Sequence, residues 1–285
     1  MKFKTVALAL TLCLISSAAA VAQNPAGDPP IEEVIRRFAA AESENKVARN
    51  NYTFTQDIEF LTLGEGGSIT GRFKRVSDIV YDDLGNRVER ITYFPPSTAQ
   101  VGITQEDMQD FAGVQPFALA IEDLPKYQVT YIGKERLDEL NTYTFDVKPK
   151  KFVKGERYLE GRIWVDDQDL QIVKVTGQAV PEVNKQKFPH FETYRENIDG
   201  RYWFPTYTYA DDVLEFKNGG IHIRMTVRYS KYKKFTTGIR VEDDKEDIPD
   251  NETKAPQTNK TTKPPVKQEK PEAPKPELKR DPKRP

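Results

Sequence analysis

Cysteine is almost missing from this 285-residue chain: Cys13 is the only one, and it lies in an apolar run near the start. Disulfides and thiolate metal sites are therefore excluded for everything that follows that run. Histidine is nearly as rare. His190 and His222 both sit in alternating strand patterns, and neither has a companion at metal-ligand spacing. No G-x-S-x-G, phosphate-loop or dinucleotide fingerprint occurs. A surplus of one charge is missing too, with Lys+Arg 43 against Asp+Glu 44, so nothing argues for a nucleic-acid partner. The acidic clusters Asp82-Asp83, Asp166-Asp167-Gln168-Asp169 and Asp211-Asp212 fall where strands end. Such residues bond the local backbone in turns. A glycosidase pair of carboxylates stays open, but nothing singles out two. The expectation is a protein with no catalytic residue, no metal and no cofactor, and not an enzyme.

Three segments divide the chain. Lys2 and Lys4 precede an apolar run from Val6 to Ile15, and Ala20-Val21-Ala22 forms an A-x-A exit. The run is short for a bilayer core of ~30 Å, which takes ~20 apolar residues, so it reads as a signal peptide over 1–22, cleaved before Gln23. No later stretch is long and apolar enough to span a membrane. A domain over 23–241 follows, large enough for one core. From Glu242 to Pro285 there is one Val, one Ile, one Leu and no aromatic residue. Lys, Glu, Asp and Pro dominate there, and such a stretch buries too little apolar surface to offset chain entropy. It reads as a disordered tail, either solubilising or a tether.

The domain opens with a helix. Asp28 is placed to cap it, Pro29-Pro30 suit its first turn, and Ile31, Val34, Ile35 and Phe38 form one apolar stripe. After Asn50 the period changes to 2: Tyr52, Phe54, Ile58 and Phe60 alternate with Thr53, Thr55, Asp57 and Glu59. Ile69, Phe73, Ile79 and Tyr81 share the next face, and a strand from Arg87 to Phe94 stops at Pro95-Pro96. Strands resume at Tyr127–Leu137, Thr142–Lys148, Tyr158–Val165, Leu170–Gln178, Phe191–Ile198, Tyr202–Tyr209 and Ile221–Phe235. Asp199-Gly200 is a two-residue hairpin turn. About ten strands in sequence order predict an antiparallel meander that curls around something. Between Ser97 and Pro125 the rhythm breaks. Thr104-Gln105-Glu106-Asp107 looks like a helix start, with Met108, Phe111 and Val114 at helical spacing, then Phe117 and Leu119. This greasy insertion is either a functional lid or a helix that covers the core.

Gly161-Arg162-Ile163-Trp164-Val165-Asp166, its turn, and Ile172-Val173-Lys174-Val175 resemble the W-[ILV]-D hairpin of outer-membrane lipoprotein-sorting (LolA-like) proteins. Gly71-Arg72-Phe73-Lys74-Arg75 and Tyr93-Phe94-Pro95 are similar to that family's early strands, and the order of elements also fits over residues 30–240. The resemblance implies a mainly β fold with some α: a curved antiparallel half-barrel wrapped over the N-terminal helix, with an apolar cavity under a helical lid. It implies that the family's functional arginine matches Arg72 or Arg75, and Arg75 shares parity with Phe73 and Ile79. The Pro-rich tail departs from the family pattern.

On that resemblance the cavity residues are expected to be Phe54, Ile58, Phe60, Phe73, Arg75, Ile79, Tyr81 and Tyr93 from the sheet. Met108, Phe111, Phe117 and Leu119 would come from the lid. The implied role is a periplasmic, monomeric carrier that takes lipid or lipoprotein acyl chains from a membrane-bound donor protein to an acceptor, towards the outer membrane. Each methylene moved from water into such a cavity gains ~0.8 kcal/mol, so binding needs no catalytic group. The alternative is an envelope sensor or scaffold that uses the same sheet and the charged tail for protein or cell-wall contacts. An enzyme on polysaccharide or lipid is a third class.

Overall fold

A computed structural model describes residues 29–82, 84–113, 117, 119–182, 188–216, 219–235 and 275–279. The cap at Asp28, the leader over 1–22 and all of the tail except 275–279 lie outside the described residues. The elements run α1 (Ile31–Arg49), β1 (Tyr52–Leu63), β2 (Ile69–Tyr81), β3 (Arg87–Tyr93) and α2 (Gln105–Ala112). Then follow β4 (Tyr127–Leu137), β5 (Leu140–Pro149), β6 (Tyr158–Asp166), β7 (Ile172–Val180), β8 (Phe191–Ile198), β9 (Tyr202–Phe216) and β10 (Gly219–Lys234).

All ten strands form one antiparallel sheet in the order β3-β2-β1-β10-β9-β8-β7-β6-β5-β4. Eight of its nine neighbouring pairs join strands consecutive in sequence, and the ninth is long-range: β1 bonds to β10, so the first and last strands meet inside the sheet. The two free edges, β3 and β4, are therefore consecutive in sequence. The segment joining them has to cross the open side of a half-barrel. That segment carries α2.

Alternation decides what lies on each face. Along β1, Tyr52, Phe54, Gln56, Ile58 and Phe60 are buried while the residues between them are half-buried. The inner side of the sheet receives Val34 and Phe38 of α1 and Phe111 of α2 in one apolar cluster. The α1 stripe extends beyond Phe38 through Glu42, Asn45 and Ala48, so two polar side chains are buried with it. On the opposite face a smaller cluster gathers Leu140, Trp164, Val173, Tyr194, Trp203 and Tyr207. Leu278 of the tail is buried in it.

Two glycine positions allow close approach. A Cβ on Gly71 would meet Thr98 O at 2.2 Å and Thr62 Oγ1 at 2.7 Å. The segment after β3 can thus fold back across β2, where Thr98 N–H donates to Arg72 O at 2.9 Å. Gly161 and Gly177 face each other in the β6–β7 ladder, and a Cβ on Gly161 would lie 2.6 Å from the Gly177 Cα. The strands meet there more tightly than side chains would permit. At the β8–β9 turn, Asp199 and Gly200 take φ of 54° and 70°, the left-handed pair that such a hairpin demands.

Candidate functional site

The crossing segment builds its helix from local rules. Thr104 Oγ1 accepts the Asp107 N–H at 3.2 Å, and Asp107 Oδ2 accepts the Thr104 N–H at 2.7 Å. This reciprocal box fixes where α2 starts. Its apolar side then turns towards the sheet, with Phe111 buried and Met108 packed against the main cluster.

Between α2 and the sheet a hollow of about 140 Å³ remains. Phe60, Ala179, Phe191, Leu214, Phe216 and Met225 line it from the strands, Phe111 from the helix, and Val101, Ile103, Phe188 and Pro189 from the connections. Asp107 and Asp110 add acidic groups to the wall. Apolar cavities of ~150 Å³ take up a benzene-sized guest, so the hollow as it stands fits a ring or a short alkyl segment. A longer chain requires α2 to move.

Two arginines pin the crossing segment. Arg157, just before β6, makes a two-point contact with Asp110 of α2: Nη2 to Oδ2 at 2.9 Å and Nε to Oδ1 at 3.2 Å. It also donates to Pro181 O and stacks over Phe188, 4.0 Å from the ring centre. Arg195 of β8 donates to Glu42 Oε1 of α1 at 2.7 Å and to Phe117 O of the crossing segment. The side chains of Arg195 and Glu42 are 2 % and 0 % exposed. Taking both charges out of water costs several kcal/mol each, so the pair makes sense as a positional clamp rather than as a source of stability.

The expected residues are distributed unevenly. Phe60 and Phe111 line the hollow. Phe54, Ile58, Phe73, Ile79, Phe117 and Leu119 are buried in the surrounding core, and Tyr81 and Met108 pack partly against it. Arg75 lies on the Phe73 side of β2, paired to Glu89 at 2.9 Å and 5.9 Å from the centre of Phe94. Arg72 lies on the other side, 3.4 Å from Glu59. Tyr93 is 56 % exposed. Ile91 faces Ser77 but Tyr93 faces Val76, so Thr92 is an extra residue and Tyr93 shares the side of Val76. The remaining wall of the hollow, with Met225 opposite both Phe60 and Ala210, depends on the β1–β10 and β9–β10 registers. Period 2 marks such residues as one-sided but not as neighbours.

At the β3 edge, Glu89 joins Arg75 in a small polar group on the inner side. Burial alone would raise its carboxyl, but bonds from Ser77 and Arg87, with the charge of Arg75, outweigh it and hold the group below the ordinary 4.5. Elsewhere, burial pushes the Tyr229 and Tyr232 phenols up, which keeps both neutral. Among the described residues no group of three or more metal-ligating side chains comes together, and no helix is long and apolar enough to cross a membrane.

No family model matches the chain, and no curated protein does. Solved structures do. A LolA superfamily protein from Nitrosomonas europaea is 14 % identical with a TM-score of 0.32, covering 69 % of this chain and 94 % of that one. An outer-membrane lipoprotein-sorting domain from Vibrio parahaemolyticus is 12 % identical with a TM-score of 0.31, covering 72 % and 95 %. The MucA/MucB complex of Pseudomonas aeruginosa is also similar, at 10 % identity and a TM-score of 0.21, covering 67 % and 94 %.

Proposed function

We propose that this half-barrel is an exported, monomeric carrier that holds lipid or lipoprotein acyl chains in the hollow beneath α2 on their way towards the outer membrane. One observation carries the reading: an apolar hollow is roofed by a crossing segment that Arg157 holds at α2 and Arg195 at Phe117, through side chains instead of strand pairing. Such a roof can be released without unzipping the sheet. Filling the hollow with about five methylenes would gain on the order of 4 kcal/mol, and lifting α2 would extend the same apolar surface to a whole chain. Opening is the cost that sets affinity, and the acyl length taken up offsets it. The periplasm is the compartment in which such a carrier works, and donor and acceptor proteins would be needed at the two membranes.

The test is native mass spectrometry of protein exported to a bacterial envelope, comparing the wild-type chain with Ala179→Trp. Ala179 sits on β7 in the wall of the hollow. The added ring should occupy the space and remove co-purified lipid, with the far-ultraviolet dichroism unchanged. Lipid retained at the wild-type level in a folded Ala179→Trp protein would reject the hollow as the binding place.

A further inference from the structure

The opposite face of the sheet carries a second site, and it is filled. The segment Lys275–Lys279 lies against it and Leu278 is completely buried with Trp164, Trp203, Tyr194 and Tyr207. The backbone is held at the β4–β5 turn, where Asp138 Oδ2 accepts the Leu278 N–H at 3.0 Å and Leu278 O accepts the Glu139 N–H at 3.4 Å. Three residues earlier, the Lys275 ammonium pairs with Glu192 and lies 4.8 Å from the centre of the Tyr209 ring. Glu192 is shared with Lys174, which itself lies over Trp164 and Tyr194. Cation, backbone and leucine are thus each met by a different feature of the sheet, while Glu277 and Lys279 face water and pair with each other.

The sequence explains why this segment is the one that docks. A Lys-Pro-x-aliphatic unit occurs three times in the tail: Lys263-Pro264-Pro265-Val266, Lys270-Pro271-Glu272-Ala273 and Lys275-Pro276-Glu277-Leu278. The last ends in the largest of the three apolar side chains, and Leu278 is the sole leucine after Leu214. Proline at the second position fixes φ and lowers the ordering cost of an extended peptide.

We infer that the outer face holds a built peptide site for a Lys-Pro-x-Leu sequence, and that the chain occupies it with its own Lys275–Leu278. The tail is then tied down at its far end and is not a free tether. Joining a ligand to its site through a linker gives an effective concentration of about a millimolar, so the cis segment outcompetes a free peptide at lower concentration.

The two tryptophans of the chain, Trp164 and Trp203, both belong to this pocket, so intrinsic fluorescence reads it directly. In the full chain, Leu278→Asp should expose the tryptophans to acrylamide and shift their emission to the red. A synthetic peptide spanning residues 273–281, added to that variant, should restore protection, and the same peptide carrying Asp at the leucine position should not. Lys275→Gln should weaken protection without abolishing it. Unchanged quenching in Leu278→Asp would overturn the site. Protection that fades when the wild-type chain is diluted would overturn the cis assignment and give the segment to a second copy.

Discussion

The two faces of the β8–β9 region make a useful pair. Inward, Phe191 looks towards a space that is roofed but not full, and the buried pair of Arg195 with Glu42 holds the crossing segment at Phe117. Outward, Glu192 and Tyr194 look towards a pocket that is full, with a leucine in it and cations around its rim. The inner wall is aliphatic and phenylalanine-rich, with few groups able to fix a guest in one pose. The outer one is built from Trp and Tyr, whose polar ends reach partners: Trp164 Nε1 donates to Glu135 at 2.8 Å and Trp203 Nε1 to Asp169 at 3.2 Å. A surface of the first kind tolerates many shapes, and one of the second kind selects a sequence. One sheet thus presents a permissive side and a selective side, separated by a single layer of backbone.

Substitutions can separate the sides. The largest effect is expected at Arg195, because Arg195→Leu leaves Glu42 buried without its counter-charge. Urea denaturation should show a loss of about 3–5 kcal/mol, and Glu42→Leu in the same chain should recover most of it. Tryptophan protection on the outer face should stay as in the wild type below the transition; a shift would show that the two faces are coupled. A smaller and more local effect is expected for Arg157→Ala, which removes the two-point contact to Asp110. A loss of about 1.5–3 kcal/mol confined to α2 should appear as faster amide exchange at Gln109–Gly113, with the β6 and β7 amides unaffected. The smallest concerns the β3 edge. Glu89 titrates below its ordinary 4.5 in the folded chain, so its contribution is present above pH 4.5 and is lost as pH falls further. Acid below pH 4.5 should loosen this edge, and Glu89→Gln should flatten that part of the pH profile.

Much of the sheet was legible because alternation is a local signal. Tyr127–Leu137 coincides with β4, and Tyr158–Val165 falls one residue short of β6. The capping box at Thr104 and the Asp199-Gly200 turn depend on neighbours in sequence, and both are as expected. The site was legible only in part. Arg157 and Arg195 look like solvated charges, since their partners Asp110, Glu42 and Phe117 are 47 to 153 residues away. The side on which Tyr93 falls depends on one inserted residue in β3. Leu278 was lost in the average composition of its surroundings, where a single side chain hardly registers. Each of these depends on register or long-range pairing, which a periodicity does not encode.

The place where the sheet fails to close has its own consequence. Because β3 and β4 follow one another along the chain, every ladder of the sheet is formed without help from the stretch between them. A cut between Gly113 and Leu119 would sever no strand from its neighbours. The sheet would keep all of its ladders while the segment that crosses its open side was parted.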